Sequence, residues 1–249
     1  MSQGVTIIGA SGYLASESMS YLRELGYEVV PISSKFQLTG ENYFSLERPV
    51  LTKVAEKSEI WIYFSWSVDR KYSSQQKSFI AASLISNRAR YLGKKFIFIS
   101  SLAGKPKYPN SNYGYFKKLV DKVIIRNKQI SVRPATVITE EMAYGTSTRL
   151  FTKLIKFSFL TKYLFEPLII PTVSSQTFLV KLASILDQVA LTGVIEVQDG
   201  EWGTGAQHLK VGRLNWTLLK PLFYVLPISI KDRIWTVLDL NGYGDNTHR

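Results

Sequence analysis

The stretch at residues 5–26, VTIIGASGYLASESMSYLRELG, decides the fold prediction for this chain. Residues 5–8 form a short β-branched run that ends at glycines, which predicts a buried strand followed by a tight turn. Apolar residues then recur at helical spacing until Gly26 ends the pattern, which predicts a helix that starts at Tyr13. A strand, a glycine turn and a helix in this order are the opening of a βαβ unit.

The same alternation of elements continues along the first half of the chain. Further strands are predicted at residues 27–33, 59–65, 94–100 and 130–138, and helices at residues 75–93 and 112–127. The strand segments are continuously apolar, which indicates a sheet covered on both faces. Strands that alternate with helices imply parallel strands joined by right-handed crossovers. We therefore predict an α/β fold, a doubly wound parallel sheet of the Rossmann type, over residues 1–140.

The pattern loosens after residue 140. Helices are predicted at residues 148–160 and 176–191, and a strand and turn at residues 193–200. The rest is aromatic and interrupted by prolines, with no repeat and no low-complexity linker. We predict that residues 141–249 form a small lobe packed on the sheet domain.

Composition excludes several kinds of site. The chain of 249 residues has no cysteine, so it has no disulfide, thiolate metal site or cysteine nucleophile. Its two histidines, His208 and His248, cannot build a multi-histidine metal site, and we expect no metal. The N-terminal sequence lacks the pattern of a signal peptide, and no apolar run reaches about 18 residues. We expect a cytoplasmic protein.

The charge is strongly positive and unevenly distributed. The chain has 31 Lys and Arg against 19 Asp and Glu, and residues 70–133 hold 15 of the basic residues with a single acid, Asp121. This field favours an anionic partner such as nucleotide phosphates or a lipid surface, although a solvated basic surface without a specific partner is the alternative. Residues 148–165 are basic and aromatic and can make a peripheral membrane contact, or can face a core. No nucleic-acid motif is visible, so we expect no nucleic-acid partner.

The glycine turn has the spacing of a phosphate-binding loop. Gly9 and Gly12 follow the first strand and precede a helix, where a close backbone approach suits a pyrophosphate. Ala15 occupies the third glycine position and is small enough for close helix–strand packing. The alternative is a tight turn without a ligand, as in any α/β protein.

The end of the second strand carries no carboxylate. Ser33, Ser34 and Lys35 stand where a NAD-selective site usually has an acid for the ribose 2′-hydroxyl. These residues suit a 2′-phosphate, so the sequence favours NADP(H) over NAD(H). The alternative is that Lys35 begins a solvated loop.

Four segments, in the right order, resemble the short-chain dehydrogenase/reductase superfamily and, within it, the extended NAD(P)-dependent epimerase/dehydratase-like family. They are GASGYLA at 9–15, WIYFSWSVDR at 61–70, FIFISSLAG at 96–104, and YGYFK at 113–117 followed by VRPATVI at 132–138. The resemblance covers roughly residues 5–180. It implies a nicotinamide cofactor bound by the sheet domain and a substrate bound by the C-terminal lobe.

The resemblance gives Ser101, Tyr113 and Lys117 catalytic roles. Tyr113 and Lys117 are one helical turn apart, so both side chains can face one cleft. An ammonium group favours phenolate and lowers the phenol pKa from about 10, which makes Tyr113 a general acid/base. By resemblance, Lys117 also holds the nicotinamide ribose and Ser101 bonds the reacting oxygen. The alternative is a chance Tyr–Lys pair on an amphipathic helix.

The same resemblance predicts the cofactor contacts. Residues after the third and fifth strands are expected along the adenosine, the ribose and the nicotinamide amide. The complete set is Gly9, Ser11, Gly12, Tyr13, Leu14, Ser33, Ser34, Lys35, Phe64, Ser65, Trp66, Ser100, Tyr113, Lys117, Pro134, Ala135 and Val137.

The residues after Ser101 narrow the choice of reaction type. In the family that the chain resembles, members that dehydrate sugars generally carry acidic residues directly after the active-site serine or threonine. Leu102, Ala103 and Gly104 offer no carboxylate, so the resemblance disfavours sugar dehydration. We predict a reductase of a nucleotide-linked keto sugar in polysaccharide biosynthesis, with a phosphate-bearing sugar as substrate. An epimerase, or a non-catalytic NADP-binding regulator or assembly factor, is the alternative. Many members of the family that the chain resembles dimerise through the helices that correspond to residues 75–93 and 112–127. The resemblance therefore implies a possible homodimer, which the basic residues of these helices oppose.

Overall fold

The computed structural model describes residues 3–34, 43–69, 71–102, 112–138, 169–188 and 190–203. The predictions for Lys35 and for residues 148–165, and most of the predicted C-terminal lobe, lie outside these ranges. The chain divides into two compact units. The first holds residues 1–134 and 175–197, and the second holds residues 135–174 and 198–249.

The helices and strands follow the predicted order closely. The strands are β1 (Gly4–Ile8), β2 (Glu28–Ile32), β3 (Ile60–Tyr63), β4 (Lys95–Ile99), β5 (Ile130–Pro134), β6 (Thr136–Ile138), β7 (Ile169–Ser174), β8 (Gly193–Val197) and β9 (Gly200–Gly203). The helices are α1 (Tyr13–Glu24), α2 (Lys53–Lys57), α3 (Tyr72–Tyr91), α4 (Asn112–Arg126) and α5 (Ser175–Leu186). The five-residue α2 is the one described helix that the sequence did not predict, and strands β7 and β9 were not predicted either.

The first unit is built on a parallel six-stranded sheet in the order β2-β1-β3-β4-β5-β8. All four residues of β3 are buried, and so are the last four of β1 and of β4. Side chains of a strand alternate between the two faces, so uninterrupted burial means that both faces are covered. The predicted Rossmann-type sheet is confirmed.

One face of this sheet packs against α3 and α4. Its core holds the aromatic side chains of Trp61, Tyr63, Phe96 and Phe98 together with small and branched residues of the two helices. Each fully buried aromatic or branched side chain contributes about 1.5–3 kcal/mol to folding. Helix α4 packs on α3, β5 and β8, and its Lys117 reaches the Ile99 carbonyl at the end of β4, where the site described below lies.

The strand order reverses between β1 and β3. The chain passes from β1 outward to β2 and then returns across β1 to β3. In open α/β sheets, ligands bind outside the carboxyl ends of the strands at such a reversal. The topology therefore points to the loops that follow β1 and β3.

The segment at residues 130–138 forms two strands instead of the single predicted one. β5 lies between β4 and β8 in the six-stranded sheet, whereas β6 pairs with β7 in a separate three-stranded sheet, in the order β6-β7-β9. The change of sheet at Ala135 depends on partners distant in sequence, and the apolar run itself does not reveal it. Among the described helices, none is long and apolar enough to cross a membrane.

Candidate functional site

The turn after β1 requires glycine at position 9. Gly9 has φ +92°, and a Cβ there would lie 2.6 Å from the Ser65 backbone nitrogen and 2.8 Å from its Cα. The Gly9 and Ala10 backbone N–H groups donate to the Ile32 carbonyl at 2.8 and 3.0 Å. The turn is thus tied to the end of β2 and pressed against the loop after β3, which is the reversal point of the sheet.

Gly12 serves a different purpose, because it is the N-cap of α1 with an ordinary φ of −76°. A Cβ at Gly12 would meet only the Gly9 carbonyl oxygen, at 3.5 Å, so packing does not demand a glycine. The position offers no side-chain cap, and the first turn of α1 has no acidic residue. The positive end of the helix dipole is therefore left suited to an anion, with room where a side chain would stand.

The end of β2 meets the glycine turn through two serines. The Ser33 hydroxyl donates to the Ser11 hydroxyl at 2.8 Å, and Ser33 is fully buried while Ser11 and Ser34 are exposed. Tyr13 and Leu14, the first residues of α1, are half-buried beside this edge. The predicted 2′-phosphate contact of Lys35 stays a prediction.

Ser100, directly after β4, carries a buried hydroxyl without a hydrogen-bond partner. The residue is 4% exposed, its backbone N–H donates to the Val132 carbonyl at 2.7 Å, and its Oγ is unpaired within the described part of the chain. Leaving a buried hydroxyl unpaired costs about 1–3 kcal/mol, which a bound ligand can offset. The following residue, Ser101, is partly exposed at the same sheet edge.

Lys117 lies on the buried face of α4 and is only 3% exposed. Its Nζ donates to the Ile99 carbonyl at 2.8 Å. The same nitrogen lies 4.1 Å from the centroid of the Trp66 ring, 4.5 Å from that of Phe98 and 5.6 Å from that of Tyr113. A carbonyl dipole and the negative faces of aromatic rings stabilise a cation that burial alone would penalise.

Trp66 is fixed on both sides. Its ring meets that of Tyr113 edge-on, with centroids 6.2 Å apart and an interplanar angle of 90°. Its Nε1 donates to the Gln75 side-chain oxygen at 2.7 Å, and Gln75 is fully buried on α3. Sequence reasoning placed Trp66 in the site but missed Gln75 and Phe98. The signal for Gln75 was its position on the buried helical stripe that continues as Ser78, Ala82 and Ile85.

The loop that carries Trp66 is also anchored electrostatically. The Asp69 carboxylate accepts hydrogen bonds from the Lys71 backbone N–H at 3.1 Å and the Ser74 hydroxyl at 2.8 Å. These bonds hold the pKa of the Asp69 carboxyl below its usual range, the Lys71 N–H being the main cause. The carboxylate is therefore kept ionised at the start of α3, where a negative charge stabilises a helix N-terminus.

Most of the predicted site residues of the first unit meet at the carboxyl ends of β1, β3 and β4. Contacts link Gly9 to Ser65, and link Trp66 to both Tyr113 and Lys117. Phe64 lies in the same loop as Ser65, with its backbone N–H donating to the Ile8 carbonyl at 2.8 Å.

The predicted nicotinamide contacts after β5 are divided between the two units. Pro134 ends β5 in the first unit. Ala135 and Val137 belong to the second unit, where Ala135 is buried and Val137 pairs with Val173. Their predicted contacts with a nicotinamide amide stay predictions.

Comparison with known proteins shows the fold and leaves the family open. No protein-family model and no curated protein matches the sequence. Among solved structures, L-threonine dehydrogenase from Phytophthora infestans aligns with a TM-score of 0.68 at 11% identity, covering 99% of this chain and 89% of that one.

Two sugar-nucleotide enzymes align almost as well. The dTDP-4-dehydrorhamnose reductase from Bacillus anthracis, solved with NADP, has a TM-score of 0.61 at 15% identity over 88% of this chain and 82% of that one. The UDP-glucose 4-epimerase from Thermotoga maritima, solved with UDP-glucose, has a TM-score of 0.61 at 15% identity over 90% and 84%. The chain therefore has the fold that these three enzymes share.

Proposed function

We propose that this chain is an NAD(P)-dependent oxidoreductase of the extended short-chain dehydrogenase/reductase family that reduces a nucleotide-linked keto sugar in polysaccharide biosynthesis. The observation that carries the proposal is the meeting of Tyr113, Lys117 and the end of β4 beside the reversal point of the sheet. A general acid, a buried ammonium and a glycine turn at a helix N-terminus converge on one edge. That set matches hydride transfer coupled to proton transfer.

The residues present fit a nicotinamide dinucleotide. Gly9 and Gly12 form the turn that would hold the diphosphate, where the missing side chain of Gly12 leaves room at the start of α1. The buried hydroxyl of Ser100, which has no hydrogen-bond partner among the described residues, is a polar group that a ligand can use. When bound, the cofactor supplies the hydride that the carbonyl carbon receives. The serines at the end of β2, with Lys35, favour NADP(H).

Tyr113 and Lys117 then have different roles in proton transfer to the substrate oxygen. As the carbonyl is reduced, the Tyr113 hydroxyl delivers a proton to the oxygen, which becomes the product hydroxyl. Lys117 holds positive charge near the phenol ring and favours the phenolate that remains. Ser101 donates a hydrogen bond to the same oxygen. Hydride and proton together account for both atoms gained by the product alcohol.

The substrate proposal rests on charge as well as on fold. Two of the similar structures are enzymes that act on or bind a dTDP-linked and a UDP-linked sugar. The excess of 31 basic over 19 acidic residues in this chain suits a substrate that carries phosphates. In this proposal, residues 1–140 hold the cofactor and residues 141–249 contribute to the substrate site.

Epimerisation is the second candidate, because the same arrangement serves an epimerase and one similar structure is a 4-epimerase. The two reactions differ in their cofactor balance. A reductase consumes one reduced cofactor per product, whereas an epimerase oxidises and reduces the same sugar and consumes none.

The test uses the full chain with NADPH, NADH and a panel of nucleotide-linked keto sugars and sugars. We expect tighter binding of NADPH than of NADH, and stoichiometric oxidation of NADPH with at least one keto sugar. Interconversion of sugars without net oxidation would favour the epimerase. Stoichiometric NADPH binding with no reaction across the panel would favour a non-catalytic regulator and would refute the enzyme proposal.

A further inference from the structure

The buried ammonium group of Lys117 lies in an enclosure that we call the ammonium box. It consists of the rings of Trp66, Phe98 and Tyr113 and the backbone carbonyl of Ile99. These parts come from three elements: Trp66 from the loop after β3, Phe98 and Ile99 from strand β4, and Tyr113 from helix α4. The box therefore forms only when these elements are assembled.

The three rings differ in how strongly the surrounding structure constrains them. Phe98 is fully buried in β4 and Tyr113 is on α4, so the sheet and the helix fix both. Trp66 stands in an irregular loop and is only half-buried, yet its ring centroid is the nearest to the ammonium nitrogen. A loop residue in that position needs a separate anchor to keep its geometry.

Gln75 is that anchor. Its side-chain oxygen accepts the indole N–H of Trp66, and its side-chain nitrogen donates to the carbonyls of Ser67, at 3.1 Å, and Asp69. These bonds use both ends of the buried amide, and they fix which way the amide points. The Ser67 backbone N–H also donates to the Ser78 hydroxyl at 3.0 Å. Residues 66–69 are thus fastened to α3 at several points.

We propose that Trp66 is a positioning residue for proton transfer, anchored by Gln75. Its ring face holds the Lys117 ammonium, and its edge-on contact holds the Tyr113 ring, so that charge and phenol keep one relative geometry. This inference rests on the proposed function, because that proposal assigns the roles of Lys117 and Tyr113. Displacing a catalytic group by about 1 Å can cost about 100-fold in rate.

The decisive comparison is between Trp66→Phe and Trp66→Leu. Both substitutions remove the indole N–H that bonds to Gln75, but only phenylalanine keeps an aromatic face over the ammonium. We expect kcat to fall about 10- to 100-fold in Trp66→Leu and by a smaller factor in Trp66→Phe, which keeps an aromatic face but loses the bond to Gln75, with similar KM for the cofactor. Equal kcat values in the two variants would overturn the positioning role.

Trp61→Phe is the matched control for general damage. Trp61 is fully buried in β3, and its indole N–H donates to the Ser58 carbonyl at 3.2 Å, away from the box. We expect it to lose stability in urea unfolding while keeping kcat per folded molecule. If Trp66→Leu, like the control, loses stability but keeps kcat per folded molecule, the proposal is also refuted.

A second measurement does not depend on turnover. The Lys117 Nζ lies 4.1 Å from the Trp66 ring centroid, so ring-current shielding should move the NMR signals of the adjacent εCH2 protons upfield in lysine-labelled protein, with Lys117→Met as the assignment control. Phe98 and Tyr113 also shield these protons, so we expect the shift to be largest in the wild type, smaller in Trp66→Phe and smallest in Trp66→Leu. An undiminished shift in Trp66→Leu would refute the contact between Lys117 and Trp66. Wild-type protein with the shift but no oxidoreductase turnover would refute the proposed function, and with it the catalytic role of Trp66.

Discussion

The two halves of α4 each bury a charge, and they stabilise it in different ways. Lys117 and Asp121 lie one helical turn apart on the buried face, with 3% and 1% of their surfaces exposed. In the first half, the ammonium of Lys117 contacts aromatic rings and a backbone carbonyl. In the second half, the Asp121 carboxylate is bonded to Arg133 at 2.8 Å and to the Ser131 hydroxyl.

This difference indicates that the first half of α4 belongs to the candidate site, whereas the second half stabilises the fold. Arg133 lies on β5 and also reaches Glu196 on β8 at 3.6 Å, so the charges of the second half tie α4 to two strands. An ion pair with these hydrogen bonds is structural, and breaking it leaves an uncompensated buried charge. The rings of the first half let the ammonium keep its charge next to Tyr113, where that charge serves the proposed chemistry.

Tyr113→Phe should give the largest effect and tests the first half. Removing one hydroxyl removes the proposed general acid, so kcat should fall about 100- to 10,000-fold while the free energy of unfolding changes little. Tyr115→Phe, on the exposed side of the same helix, is the control and should keep full turnover. Steady-state kinetics measures both. Full turnover in Tyr113→Phe would refute the mechanism.

Asp121→Asn tests the second half and should act on stability instead of turnover. Breaking the buried pair with Arg133 should lower the free energy of unfolding by about 3–5 kcal/mol, with kcat per folded molecule unchanged. Glu47→Gln breaks an exposed pair with Lys77 and should change stability little. Urea unfolding compares the two variants. Equal losses would mean that the buried pair is no more structural than a surface contact.

Gly9→Ala disturbs the sheet edge that the first half of α4 faces, without altering α4. The new Cβ would clash with the Ser65 backbone at a positive φ, so we expect a loss of about 1–3 kcal/mol in unfolding free energy and weaker cofactor binding. Gly26→Ala has the same sign of φ, at +87°, but no atom within 4 Å of the Cβ. Gly26→Ala therefore measures the free-energy cost of the positive φ without a steric clash. A loss no greater than that of Gly26→Ala would contradict the close approach at Ser65.

Gly12→Ala tests whether the open space at the same turn serves cofactor binding instead of stability. Position 12 has an ordinary φ and room for a Cβ, so the variant should lose only the N-cap preference of glycine over alanine, about 1 kcal/mol or less. It should nevertheless bind NADPH more weakly, because the methyl group takes space at the start of α1 proposed for the diphosphate. Fluorescence titration measures the affinity, and unchanged binding would move the diphosphate elsewhere.

Tyr27 gives the smallest expected effect and lies outside both halves of α4. Burial, together with its hydrogen bond to Asp187 at 2.8 Å, raises the pKa of Tyr27 from 10.0 to about 12. A raised folded-state pKa gives a stabilisation that is complete below pH 10 and lost as pH rises through 12. The stability difference between wild type and Tyr27→Phe should therefore shrink between these pH values. A constant difference across alkaline pH would contradict the contact.

The sequence predicted what local patterns encode. Continuous apolar runs identified β1, β3 and β4, because burial on both faces leaves that mark on each strand separately. The glycine turn and the Tyr113–Lys117 spacing were also visible, since both are short-range. The break at Ala135 was not, because β5 and β6 differ only in the strands that they pair with.

The ammonium box could not be predicted from the sequence either, because it also depends on contacts between residues that are distant in sequence. Trp66, Phe98 and Lys117 are far apart along the chain, and only the assembly of α4, β4 and the loop after β3 brings their side chains together. A tryptophan after β3 and a buried glutamine on α3 each have many explanations when read alone. Their 2.7 Å hydrogen bond, and the 4.1 Å approach of the lysine, appear only in three dimensions.

The late return of β8 to the six-stranded sheet has a consequence for synthesis of the chain. β5 pairs with β4 on one side and with β8 on the other, from Ile130 with Gly193 to Pro134 with Val197. Until the ribosome has delivered residues 193–197, β5 is an open edge that can pair with another nascent chain. We expect a protein truncated before Gly193 to aggregate, although it would still contain Tyr113, Lys117 and the whole glycine turn.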